Sequence, residues 1–177
     1  DNPALYAAYD EGFPVIPLYI LEDEDAHEWR MGSASRVWLF HSLKALDDSF
    51  NGHLIIQRGK AGELIPWLVK KTGARAVYWN RCYEPWRIQR DKELKAKLEK
   101  EGLDVRSYKA SLLWEPWKIQ TQDGSPYKVF TPFYKKGCLP LGEPQKPLPD
   151  PERLTYGEGE SLSLSLNDLQ LLPNHTW

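Results

Sequence analysis

The stretch AVYWNRCYEPWRIQRD, residues 76–91, decides how the rest of the chain is read. Ala76-Val77-Tyr78-Trp79 is a short apolar run of strand length. Asn80-Arg81-Cys82-Tyr83 interrupts it with polar residues. Glu84-Pro85-Trp86 then opens a helix, because proline in the first turn has no amide partner to lose. Arg87, Arg90, Leu94 and Leu98 carry the helix on. A strand whose tip hands over directly to a helix N-terminus is where open α/β sheets bind ligands. An ordinary strand-to-helix corner with a solvated charged face has the same spacing, so the residues alone leave both readings open.

Working outward, the same alternation recurs. Asp1-Asn2-Pro3-Ala4 predicts a capped helix to about Glu11, stopped by Gly12. Val15–Leu21 is an apolar run too short for a helix. The acidic residues 22–25 and His27-Trp29-Arg30 read as an exposed loop. Ser33 or Ser35 can cap a helix bearing Val37, Phe40, Leu43, Leu46 and Phe50, with Leu39 widening its apolar face. Leu54-Ile55-Ile56 is the second strand, closing in Gln57-Arg58-Gly59. A helix follows over Glu63–Lys71, with Leu64, Trp67 and Leu68 inward and Gly73 as its stop. After the opening stretch, Gly102 ends the helix and Val105–Tyr108 is a weaker fourth strand. Alternation of this kind implies a doubly wound, Rossmann-like α/β domain with a parallel sheet between helices. The first three strands are mostly apolar, as burial on both faces requires.

The order breaks after Tyr108. Gln122-Asp123-Gly124-Ser125 is a hairpin-like turn. Residues 137–151 hold five prolines and read as an extended linker. Ser161–Leu166 alternates Ser and Leu, and this tail is expected to pack on something outside the chain or to be mobile.

Composition limits the function classes. At 177 residues with a formal net charge of -2, the chain supports one domain with a core and carries no global basic field for nucleic acid. Eight Trp and nine Tyr exceed what a surface needs; they fill cores and interfaces or stack on a planar ligand. Cys82 and Cys138 lack metal spacing and read as free thiols of a reducing, cytoplasmic compartment. No apolar run has transmembrane length, so no membrane partner is expected. The start has neither a signal peptide nor an initiator Met, so the chain reads as a fragment. No glycine-rich phosphate loop, nucleophile elbow or His pair with metal spacing is present. His41 reads as an ordinary helix residue. Glu84 and Asp91, two turns apart on one helix, do not by themselves make an acid/base pair. The residues therefore describe a ligand-binding α/β domain without a self-contained active site.

Several stretches, in order, resemble the N-terminal α/β domain of the photolyase/cryptochrome family. Asp1–Leu5 looks like the start of that family's first helix. Trp79–Pro85 with Arg90-Asp91 is similar to its strand-turn-helix at the antenna chromophore. Tyr127–Lys135, containing Val129-Phe130-Thr131-Pro132-Phe133, is similar to a recognisable segment of the same domain. Arg36-Val37-Trp38 and Leu112–Pro116 fit the same order and spacing.

The resemblance implies more than the residues do. It implies residues 1–136 as the antenna domain and 137–177 as an interdomain linker leading to a helical FAD-binding domain outside this chain. It implies a parent that repairs cyclobutane pyrimidine dimers in ultraviolet-damaged DNA with light-excited FAD, is monomeric at full length, and is inactive as this fragment alone. A cryptochrome-type photoreceptor and a free-standing nucleotide-binding module are the alternatives. The implied antenna is methenyltetrahydrofolate first and 8-hydroxy-5-deazaflavin second, because Cys82 stands where deazaflavin binders tend to carry an acid. The implied antenna residues are Glu84, Cys82, Arg36 and Asn80. The implied sheet order is 3-2-1-4-5. Its first, central strand would precede Asp1, so the remaining halves should flank a gap of about 9–10 Å.

Overall fold

The structure, a computed structural model, describes residues 1–23 and 30–173. The loop expected at 27–29 lies outside the described residues. Eight regular elements alternate: α1 (Pro3–Asp10), β1 (Leu18–Leu21), α2 (Ser33–Ser49), β2 (Ile55–Arg58), α3 (Ala61–Thr72), β3 (Ala76–Asn80), α4 (Pro85–Lys100) and β4 (Asp104–Tyr108). Among the described residues no helix is long and apolar enough to cross a membrane.

The strands form two separate parallel pairs rather than one sheet. β1 pairs with β2 in the register Leu18↔Ile55 to Leu21↔Arg58. β3 pairs with β4 from Ala76↔Asp104 to Asn80↔Tyr108. Among the described strands β1 and β3 share no ladder. Each pair has its own core. Leu21, Leu39, Leu43, Phe50, Leu54 and Ile56 gather under the first. Leu94, Leu98 and Val105 gather under the second, with Val77 and Trp79 packed against them.

Helices and one carboxylate join the halves. Ile65 of α3 packs on the second core. Glu22, at the tip of β1, accepts from the Ala61 amide at 3.0 Å and pairs with Arg90 of α4. Burial alone would lower the Arg90 pKa, but its bonds to Asp91 and Glu22 outweigh that and hold it above its ordinary value. At the other end, Asn2 caps α1 through the Leu5 amide, and Asn80 binds both the Ala4 amide and the Asn2 side chain.

Four local expectations are corrected. Strand β1 starts at Leu18 rather than Val15, because Pro14 and Pro17 supply no ladder amide. Gly32, not a serine side chain, stands at the cap of α2. Leu46 and Trp67 are exposed, while Leu39, Leu43 and Phe50 are inward as expected and Pro66 joins Leu68 on the inner face of α3. The tail, finally, folds back on the chain itself. Leu169 and Leu171 are buried in the first core. The Val15 amide donates to Thr155 O at 2.7 Å and the Gly157 amide to Val15 O at 3.0 Å. Along the outer edge of β2, the Ile56 amide donates to Ser163 Oγ at 2.9 Å and the Leu164 amide to Ile56 O at 2.8 Å. Residues 154–171 thus form a strap that covers an otherwise open strand edge.

Candidate functional site

The tips of β3 and β4 open into a cavity of about 500 Å³, lined by Asn80 to Glu84, Arg87, Ala110 and Ser111. Its size falls in the range of small-molecule sites, roughly 300–1,000 Å³. Geometry follows from the elements. Strand β3 ends at Asn80, Pro85 starts α4, and the four residues between them form the turn that walls the cavity. The opposite wall is the chain leaving β4.

Three of the four anticipated residues meet here, and one does not. Glu84 occupies the N-cap of α4 but makes no side-chain capping bond. Its carboxylate is half exposed, with Arg87 at 3.6 Å. A free carboxylate at a helix N-terminus is stabilised by the helix dipole. Cys82 accepts a long contact from Arg87 Nη1 at 3.4 Å. Asn80 lines the cavity, but its amide is committed at both ends to α1. Arg36 is not in the lining. It pairs with Asp23 at 3.0 Å and reaches Gln170 O at 3.4 Å, on the first half of the molecule. The two regions touch electrostatically at Tyr19. Burial raises its phenol pKa first and Asp23 adds to that, while Arg87 and Arg36 both pull it down.

Local spacing missed the residues that hold the turn in place. Glu115 is buried and accepts from Arg81 Nε at 3.0 Å, Arg81 Nη2 at 2.6 Å and the Tyr83 hydroxyl at 2.9 Å. Arg81 also donates to Ser107 O at 2.7 Å and Ser107 Oγ at 3.2 Å, and lies 5.9 Å from the Trp117 ring centre. Tyr83 titrates above the ordinary tyrosine value, through burial first and its bond to Glu115 second, so it stays a donor. One signal for Glu115 was in the sequence: a lone acid inside Leu112-Leu113-Trp114-Glu115-Pro116-Trp117. Its partner lies 34 residues away, beyond any local periodicity.

The residues present fit a planar polar ligand. The group open to a ligand is the half-exposed Glu84 carboxylate; Arg87 Nε is sealed from the cavity and without a hydrogen-bond partner among the described residues, its guanidinium 4.9 Å from the Trp86 ring centre. An exposed carboxylate beside a guanidinium can accept from a ligand N–H.

Comparison with known proteins places this architecture. The DNA photolyase family model matches residues 1–152. The deoxyribodipyrimidine photo-lyase of Agrobacterium fabrum is 42% identical over 176 residues, covering 98% of this chain and 36% of that protein. Cryptochrome-1 of Arabidopsis thaliana is 36% identical over 163 residues, covering 89% of this chain and 24% of that protein. The chain therefore spans about a quarter to a third of the length of these relatives. The crystal structure of a bacterial class III photolyase from Agrobacterium tumefaciens superposes with a TM-score of 0.85 at 39% identity, over 98% of this chain and 36% of that one. A Synechocystis cryptochrome shares the fold, with a TM-score of 0.73 at 19% identity. With its paired parallel strands, its cavity at the strand tips and these relatives, the chain belongs to the DNA photolyase family.

Proposed function

We propose that this chain is the light-gathering part of a deoxyribodipyrimidine photo-lyase. The observation that carries this is the 42% identity to a photo-lyase across 98% of the chain. In this reading the whole enzyme repairs cyclobutane pyrimidine dimers with FAD, and the flavin chemistry belongs to the part of the relatives that this chain does not span. Residues 1–136 form the antenna domain, and 137–177 lead onward from it, with their 154–171 portion anchored on the first sheet.

The cavity beside β3 holds the antenna, methenyltetrahydrofolate before 8-hydroxy-5-deazaflavin. Bound there, such a chromophore would supply near-ultraviolet or blue absorption and pass the excitation on. The protein's own part is to bind, orient and shield. Glu84 would accept from ring N–H groups, and Cys82, Asn80 and Arg87 would furnish wall. Arg36, paired with Asp23 outside the lining, is not assigned a contact with the chromophore. Illumination of dimer-containing DNA with the full-length protein tests the repair assignment; absence of light-dependent reversal overturns it. The 36% identity to a cryptochrome supports a second reading, a blue-light photoreceptor, which that result would favour.

A further inference from the structure

Both walls of the cavity converge on one buried carboxylate. The turn that carries Asn80, Cys82 and Glu84 is tied to it through Arg81 and Tyr83. The opposite wall, Ala110-Ser111, belongs to the same loop as Glu115 itself. Arg81 extends the tie to the end of β4 through Ser107. We infer that Glu115 is a positioning residue: acting through Arg81 and Tyr83, it sets the separation of the cavity walls and so the affinity for the chromophore. The binding half of this inference rests on the chromophore reading above; the wall-setting half does not.

The physical case is the cost of the alternatives. Glu115 is 5% exposed, and its three hydrogen bonds all come from Arg81 and Tyr83. Removing its charge leaves the Arg81 guanidinium without its counter-ion in a half-buried site, where an uncompensated charge is strongly unfavourable. Arg81 would then seek water, and the turn would follow. A lysine at 81 cannot replace the planar fork that binds the carboxylate through two nitrogens. Tyr83 contributes one neutral donor, so its loss should matter less.

Two readouts test this. Titration of the protein with methenyltetrahydrofolate, followed by absorbance and induced circular dichroism, reports binding. Labelling of Cys82 by a thiol reagent reports the wall directly, with buried Cys138 as an internal monitor of global opening. We expect Glu115→Gln and Arg81→Lys each to weaken binding at least tenfold and to speed Cys82 labelling at least tenfold, with Cys138 unchanged. The double variant should be no worse than the singles, because they break one link. Tyr83→Phe should cost a few-fold in both, and Glu115→Asp should recover part of the loss. Unchanged binding and unchanged Cys82 labelling in Glu115→Gln overturn the inference. Equal acceleration of both cysteines would also overturn it, showing a general stability role. Should the unaltered protein bind no folate and no deazaflavin, the chromophore reading falls. The labelling rates then still decide whether Glu115 sets the wall.

Discussion

Glu84 and Tyr78 show how different two polar side chains on neighbouring elements can be. Glu84 makes no capping bond, and its contact to Arg87 is a surface pair of the kind that contributes little. Glu84→Gln should therefore leave unfolding stability within about 0.5 kcal/mol of the original. It should weaken chromophore binding about tenfold, ~1.4 kcal/mol. Equilibrium titration of the variant checks this. Tyr78 has the opposite character. Burial first, and its hydroxyl bond to Asp104 at 2.9 Å second, push its pKa up to about 12. A raised tyrosine pKa means that folding favours the protonated phenol. The stabilisation is fully present below the ordinary value near 10 and is lost as pH rises through about 12. Alkaline titration of tyrosinate absorbance should show late-titrating tyrosines, Tyr19 and Tyr83 among them, and Tyr78→Phe should remove the component near 12.

The elements divide into those the sequence declares and those it does not. The turn at Asn80–Tyr83, Pro85 at the start of α4, and the Leu94/Leu98 face were readable because they depend on neighbours in sequence. The strap was not readable. Its Ser–Leu alternation looks like a strand or a tail, and only contact with β2 shows that Ser163 and Leu164 serve the Ile56 amide and carbonyl. For the same reason Arg36 was legible as a basic position but not as the partner of Asp23, and Glu115 was invisible as a clamp.

The strap makes testable claims of its own. Leu169→Ala should cost about 2–5 kcal/mol, as for other fully buried leucines, measured by denaturant unfolding. At Gly159 an added Cβ would stand 2.7 Å from Ile55 Cδ1, so Gly159→Ala should destabilise by about 1–3 kcal/mol. Glu160, beside His53, is held below the ordinary glutamate value of 4.5 by backbone amides and by His53. Its contribution is present above that value and lost as pH falls through the lowered one. Protection factors along residues 155–164, taken against intrinsic exchange rates at each pH, should therefore fall in acid, and Glu160→Gln should remove that fall.

Across the whole molecule the two parallel pairs are separate ladders joined by helices and the Glu22–Arg90 pair. The Ile55 amide bonds Pro17 O and the Gly59 amide bonds Leu21 O, so Leu18 and Ile20 point their backbone groups away from β2. The Asp104 amide bonds Arg75 O and the Arg81 amide bonds Tyr108 O, so Tyr78 points away from β4. Amide exchange at Ile20 and Tyr78 should run about a hundredfold faster than at Tyr19 and Val77. Equal protection would mean that the facing edges are paired.

All eight cavity-lining residues come from the end of β3, the turn after it, α4 and the chain just beyond β4; the first pair of strands supplies none. Injury and colour should therefore part company. A protease nick in the strap, or a hole punched beneath β2, would leave a weaker protein that still takes up its pigment with the same spectrum. Loss of the Glu115–Arg81 pair would dull the colour with the strap still in place.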